Sequence, residues 1–494
     1  MTSFGRRRWL SLAAGSAAAA AAGVRVGTGW AQGRTVTADP RIKHVVVLML
    51  ENRSFDHMLG LLMRDIPGLR GVRLGEYSNL DKNGGRFDLT DGAAYQGQFP
   101  VDPPHEFEDV MLQLYGPADP PPTEPTMEGF ARSYERGGGN PANVMRCFRP
   151  EQLPAMTALA KHYLVCDNWF ASVPASTPPN RQFAHFGTSF GQVDSTLIWL
   201  GHGTGIYGRL AAAKKKGRIY YYSAQSGTFG MTFLGSKYFG LYGDFLTDCR
   251  NGNLPDYAFV EPPYHDQQDG TLAADQHPDN FVLAGDRFIW SVYEAIRSND
   301  EIWRSTLFLI VWDEHGGIFD HVRPPLLPYG DSFRSTKPKF DFKQLGVRVG
   351  AIVVSPYVKP GVDHTLFEHA SIPATVTQQF IGDPARHAPY LREKKANTML
   401  PLLAEIAPRM DWPGFKGVPA VKAAPSAAKA ALSADGPASA FQLEHVQEVY
   451  LALADKHPRV ARSLDPTTVR TKKEVSAFIA NAMTALHPRL GADA

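Results

Sequence analysis

Residues 42–50 read IKHVVVLML, a near-continuous apolar run that stops at the polar string Glu51-Asn52-Arg53-Ser54-Phe55-Asp56-His57. A strand with one wet face alternates polar and apolar residues, whereas a run like this one has to be covered on both sides, as strands of a parallel sheet are. Two more runs share the pattern: TLFLIVW at 306–312 stops at Asp313-Glu314-His315-Gly316-Gly317, and GVRVGAIVVSP at 346–356 stops at Pro356. Helical stretches such as LPAMTALAKHY at 153–163 and FIWSVYEAIRSN at 288–299 precede or separate them. This recurrence predicts an α/β fold with a mostly parallel sheet between helical layers, spanning residues 41–410. The segments 65–150 and 225–285 are rich in Gly, Pro, Asp and aromatic residues with weak periodicity, and are expected to be irregular insertions of the kind that build clefts or remain surface loops.

The two polar strings that end the strands carry chemistry. Ligands of open α/β sheets bind beyond the carboxyl ends of strands, which is where Glu51 and Asn52 would stand. Taken alone, that string also suits a helix start, with Asn52 or Ser54 as cap and Asp56 near the positive end. The echo at 313–321 changes the balance. Asp313 and Glu314 would converge on Glu51 and Asn52 from a second strand end, with Gly316 and Gly317 permitting a tight turn. Facing acids without a cation repel until one is protonated, so a bound metal is the economical explanation. Asp320 and His321 are candidates for supporting contacts or for structural roles in the loop.

The strings ENRSFDHMLG, DNWFASVPASTPPNRQFAHFGTS and VWDEHGGIFDHVRPP resemble the bacterial phosphoesterase family that contains phosphatidylcholine-hydrolysing phospholipases C and related acid phosphatases, within the alkaline phosphatase superfamily. The resemblance runs in consistent order over roughly residues 41–385 and implies a three-layer α/β/α sandwich. It implies a metal site of Glu51, Asn52, Thr177, Asp313 and Glu314, with Thr177 as the nucleophile that attacks phosphorus and Ser176 as its competitor. An unassisted threonine hydroxyl is a poor nucleophile that a metal would activate, and Pro174, Pro178 and Pro179 would stiffen the loop that carries it. The segments FVEPPYHDQQDG and ADQHPDN are similar to a family region that makes His277 the candidate for a phosphate-oxygen contact or for the proton donor to the leaving group. His369 matches a position where family members read Asp-His-Thr-Ser, with Glu368 and Ala370 replacing two of them. His185 is a candidate support for the Thr177 loop, and Arg181 a candidate to position that loop or bind phosphate.

The expected activity is phosphoric ester hydrolysis, with a phospholipase C acting through a phosphothreonine intermediate as the leading reading and a phosphomonoesterase using the same residues as the alternative. Substrates would be phospholipids or soluble phosphate esters. The expected cofactor is a divalent metal ion: oxygen ligands favour calcium, magnesium or manganese, with zinc or iron still open. A sulfatase is disfavoured because Cys166 lies 11 residues before Thr177. Trp169-Phe170, Tyr220-Tyr221-Tyr222 and Tyr238-Phe239 are candidates for an apolar opening or for core.

Formal net charge is +2, which gives no support to nucleic-acid binding through bulk charge. Residues 1–31 resemble a twin-arginine signal peptide, from Arg6-Arg7-Arg8-Trp9-Leu10 to a cleavage site after Ala31. Its loss would remove Arg6, Arg7, Arg8 and Arg25 and leave a balance of about -2. This predicts the Tat export machinery as a partner and a periplasmic or secreted location. Cys147, Cys166 and Cys249 allow at most one internal disulfide. A Pro/Ala-rich linker at 411–440 and a helical segment at 441–490 complete the expected organisation. The C-terminal helices are candidates to pack on the body, to pair with another subunit or to make peripheral membrane contact, in that order. No obligate protein partner is inferred.

Overall fold

The structure, a computed structural model, describes residues 37–194, 205–222, 238–264, 266, 271–414, 438 and, with gaps, 443–482. The signal peptide and nearly all of the linker expected from sequence therefore lie outside the described residues. The central sheet has eight strands: β1 (His44–Leu50), β2 (Leu164–Cys166), β3 (Gly217–Tyr221), β4 (Phe239–Leu241), β5 (Tyr257–Val260), β6 (Thr306–Trp312), β7 (Ala351–Val354) and β8 (Gly361–Asp363). Their spatial order is β8-β2-β7-β6-β1-β5-β3-β4. All pairings are parallel except those of β7, which runs antiparallel to both β2 and β6. Two of the predicted strands thus begin or end within two residues of the observed ones. The third is shorter than expected and reversed, a direction that hydrophobicity does not encode.

Eight helices matter to the layers and the site: α1 (Phe55–Leu59), α2 (Phe107–Tyr115), α3 (Pro154–His162), α4 (Thr177–Phe186), α5 (Gly205–Ala212), α6 (Tyr242–Asn251), α7 (Val282–Arg297) and α8 (Ser371–Phe380). Every residue of β6 and all but the first of β1 are buried, as strands covered on both faces must be. Side-chain alternation shows what covers each face. Tyr257 and Phe259 of β5 meet Tyr207 of α5 and His185 of α4 on one side. Tyr220, level with Val260, meets Phe245 of α6 on the other. α4, α5 and α8 pack together, as do α6 with α7 and α3 with α7, which makes three layers.

The segment 65–150 is more ordered than its composition suggests. It holds α2 and most of a second apolar cluster, in which Val110, Leu114, Phe130 and Tyr134 join Ile318 from outside the segment. Trp169, Phe170, Tyr220, Tyr221 and Phe239 are core residues, and Tyr238 is also buried. The expected helix at 288–299 begins earlier, at Val282. Within the C-terminal segment, Val446, Val449, Leu453, Val475 and Phe478 are buried in the same apolar cluster as the sheet. Cys147, Cys166 and Cys249 are free and buried. No helix among the described residues is long and apolar enough to cross a membrane.

Arg348 ties three loops beneath this frame. Its Nη2 lies 2.8 Å from Asp56 Oδ1 and its Nε 3.1 Å from Asp320 Oδ1, while Nη1 donates to the carbonyls of Arg70 and Asp167. All three side chains are fully buried, and burial raises the Asp320 carboxyl to about 6 despite Arg348. Removing the cation leaves two buried acids with only the His321 imidazole beside them. Arg348→Met is expected to lower stability by about 3–5 kcal/mol, read as a shift in the urea midpoint; a shift under about 1 kcal/mol would show that the network is not structural.

Candidate active site

Parallel strands end on one edge, and three neighbouring ones here end in an acid: β1 in Glu51, β5 in Glu261 and β6 in Asp313. Arg181, on the first turns of α4, reaches all three. Its Nη2 is 3.1 Å from Glu51 Oε1, its Nη1 3.6 Å from Glu261 Oε1, and its Nε donates to Asp313 Oδ2 at 2.9 Å. Burial opposes the guanidinium charge, but Tyr264, Asp313, Glu51 and Glu261 together hold it above its ordinary pKa.

The two strand-end loops interlock through their backbones. Asn52 N–H donates to Asp313 Oδ1 at 3.2 Å, Arg53 N–H to the Glu314 carbonyl at 3.0 Å, and Asp313 N–H to the Leu50 carbonyl at 3.1 Å. Asn52 adopts φ 57°, a left-handed conformation that asparagine tolerates better than most residues. Gly316, with φ 61°, approaches so closely that a Cβ there would lie 2.4 Å from the Asn52 carbonyl oxygen.

Glu51, Asn52, Thr177, Asp313 and Glu314, the five residues expected to share a metal, meet here. Thr177 opens α4 instead of riding a loop, because Pro178 and Pro179 fall in the first turn, where a missing N–H costs nothing. Its hydroxyl donates to Asn52 Oδ1 at 3.2 Å. Among the described residues, Glu51 Oε2 and Glu314 Oε1 are buried oxygens without a hydrogen-bond partner. Burial drives the Glu51 carboxyl well above the usual range, with Arg181 opposing and Asp313 adding to the rise. The Asp313 carboxyl is likewise raised by burial. Glu314 also suffers burial, but His105, His315 and the Gly316 N–H hold it low. Buried carboxylate oxygens without a partner, on Glu51 and Glu314, are donors of the hard oxygen type that a divalent cation such as magnesium or calcium takes, as are Asn52 Oδ1 and the Thr177 hydroxyl.

The other expected residues fall in different places. His185 contacts Tyr207 Oη at 3.1 Å through Nδ1, and packs on Phe259. His369 accepts from the Trp169 indole on Nδ1 and donates from Nε2 to the Asp313 carbonyl, so it braces a site residue from behind. Glu368 is paired with Arg392, and His321 with Asp56 at 2.7 Å. Ligand atoms of Asp56, Asp320 and His321 lie close enough to hold a metal. Arg348 already supplies their counter-charge.

The irregular segment 102–106 contributes what sequence reasoning missed. His105 Nε2 lies 3.3 Å from Asn52 Nδ2 and 3.9 Å from Glu314 Oε1. Asp102 Oδ2 lies 3.6 Å from His277 Nε2, and His277 Nδ1 is 2.7 Å from Asp279. Burial resists charging His277, yet Asp102 and Asp279 raise it to about 9, so it is an imidazolium at neutral pH. Nothing in VDPPHE marks these residues as site-lining. Glu261 was missed as well, although the sequence carries a signal for it: YAFV at 257–260 is another apolar run that stops at an acid.

These features define an α/β protein with a buried acidic centre at the carboxyl edge of its sheet. The model of the Phosphoesterase family matches residues 42–237 and 234–381, and the chain belongs to that family, whose reaction class is phosphoric ester hydrolysis. Non-specific phospholipase C4 of Arabidopsis thaliana is 36% identical over 409 residues, covering 76% of this chain and 74% of that protein. Non-specific phospholipase C1 of the same plant is 34% identical over 484 residues, covering 92% and 88%. A protein in the alkaline phosphatase superfamily from Vibrio parahaemolyticus is 9% identical over 74% of this chain and 71% of its own, at a TM-score of 0.34, a likeness too loose to carry an argument.

Gly316→Ala should disturb Asn52 directly and cut phosphoesterase activity by at least about tenfold, since small misplacements of site groups are costly. Gly243→Ala, in α6 with open space around it, is the control expected to retain activity. Equal activity in both variants would show that the close approach at Gly316 is dispensable.

Proposed function

We propose that the protein is a metal-dependent phospholipase C that releases diacylglycerol and a phosphorylated head group through a phosphothreonine intermediate. The observation that carries this reading is the Thr177 hydroxyl, set at the start of α4 and 3.2 Å from Asn52 Oδ1 beside the orphaned oxygens of Glu51 and Glu314. Ser176 is the weaker candidate because its hydroxyl donates to Glu106 Oε2 at 3.2 Å. The names of the plant relatives support lipid phosphodiesters over monoesters and suggest broad head-group tolerance.

A divalent cation held by Glu51, Asn52, Thr177, Asp313 and Glu314 would lower the pKa of the Thr177 hydroxyl and draw charge from a phosphoryl oxygen. Thr177 Oγ1 forms the bond to phosphorus as the bond to the alcohol oxygen breaks. His277 gives its proton to that departing oxygen, and Asp102 and Asp279 keep the imidazolium charged until then. The neutral imidazole left behind can take a proton from the water that opens the phosphothreonine, which restores His277, while the Thr177 oxygen, whose proton passed to solvent before attack, leaves as the alkoxide and recovers a proton from solvent. Arg181 contributes indirectly, by holding Glu51 and Asp313 in place. We further propose twin-arginine export to the periplasm or medium, on the strength of Arg6-Arg7-Arg8-Trp9-Leu10, the alanine-rich run that follows it and the small residues before the cleavage site at Ala31.

The test compares phosphatidylcholine micelles with p-nitrophenyl phosphate, using metal-reconstituted protein and Thr177→Ala. Release of phosphocholine and diacylglycerol that vanishes in the variant, and on chelation, is expected. Activity confined to the monoester would move the assignment to phosphatase, and equal rates in both proteins would remove Thr177 from the role. For His277 the sign is set by its raised pKa: the donor is present below about 9 and lost above it. Phosphatidylcholine turnover should therefore fall as pH rises through that value, and His277→Asn should lack this limb.

A further inference from the structure

Gln276 precedes His277, is fully buried and has φ 71°, a conformation that a residue with a side chain keeps only where its surroundings enforce it. Three hydrogen bonds do so. Its carbonyl accepts from Arg53 Nε at 2.7 Å, its Oε1 accepts the Trp312 indole N–H at 3.0 Å, and its Nε2 donates to the Val282 carbonyl at 3.1 Å. Gly285 of α7 makes room for it, since a Cβ there would fall 2.2 Å from Gln276 Cγ. The anchors are not arbitrary. Arg53 follows Asn52 and Trp312 precedes Asp313, and the Glu51 N–H donates to the carbonyl of Asp275 at 2.8 Å. Beyond His277 the turn is closed by Asn280, whose N–H donates to the His277 carbonyl and whose Nδ2 donates to Asp275 Oδ1.

We propose that Gln276 is a positioning residue that clamps the His277 turn to the two strand ends carrying the acidic centre, and so fixes the imidazole where it can protonate the departing oxygen. The proposal rests on the reading of His277 as proton donor. A buried amide that merely filled space would have no reason to bridge the neighbours of Asn52 and Asp313 through a strained turn. Loosening the clamp leaves Thr177 and its carboxylates in place but moves the donor. The damage therefore depends on the leaving group: a diacylglycerol alkoxide needs the proton, whereas p-nitrophenolate departs without it.

The experiment measures kcat on phosphatidylcholine and on p-nitrophenylphosphocholine for the wild-type protein, Gln276→Met, Trp312→Phe and His277→Asn, with melting curves for each. Gln276→Met is expected to lose about 10- to 100-fold on the lipid and less than about threefold on the nitrophenyl ester. Trp312→Phe, which removes the indole donor together with part of a buried ring, should shift the ratio in the same direction by a smaller factor. Equal losses on both substrates, or none, in a folded Gln276→Met protein would overturn the proposal. Should that variant fail to fold, the ratio in Trp312→Phe decides the matter by the same criterion. Selectivity in His277→Asn but not in the clamp variants would leave the donor reading standing and refute the clamp, while its absence from His277→Asn would refute both.

Discussion

One buried cation organises this molecule. Arg181 carries its charge in a place where an unpaired ion would cost several kcal/mol, and it is tolerable there only because Glu51, Glu261 and Asp313 converge on it. That convergence requires three adjacent parallel strands in fixed register. Leu50 lies level with Trp312, which brings Glu51 and Asp313 side by side. Leu48 lies level with Val260, which sets Glu261 two residues behind. The guanidinium spans that offset with its three nitrogens, a task its planar fork suits and a lysine would not. The same contacts anchor the start of α4, and with it Thr177, to the sheet.

The carboxylates remain in excess even with Arg181 among them. Four acids, Glu51, Glu261, Asp313 and Glu314, face one permanent cation, and among the described residues Glu51 Oε2 and Glu314 Oε1 have no hydrogen-bond partner. An acidic centre of this kind suits phosphoester chemistry only when a cation neutralises it, because phosphate is itself an anion. The histidines stand around the rim: His105 beside Asn52 and Glu314, and His277 beyond Asp102. The short segment 102–106 touches both sides of the centre. Gly317 lets it come close, since a Cβ there would lie 2.7 Å from the Pro104 carbonyl oxygen.

The frame is reinforced away from the site in the same manner. Arg348 joins Asp56 and Asp320, and Arg392 joins Glu368, each pair buried and each drawn from segments distant in sequence. Such pairs fix loops in position more than they add stability. Their placement explains why Glu368 and His321 share motifs with site residues while serving the scaffold that carries them.

The sequence by itself determined the strand-then-acid rhythm, and with it the sheet, its edge and the meeting of Glu51, Asn52, Asp313 and Glu314. Periodicity and abrupt polarity changes are local signals, readable without the fold. Strand direction is not such a signal, so the antiparallel course of β7 came only from the structure. The same holds for Thr177, whose Pro-Pro sequence reads as a rigid loop but serves as a helix start once α4 has a sheet to pack on. His105 and Asp102 sit in an irregular, proline-rich stretch with no periodicity to betray them. Their roles arise from long-range approach alone, because what makes an imidazole part of this site is the charge that tertiary structure sets beside it.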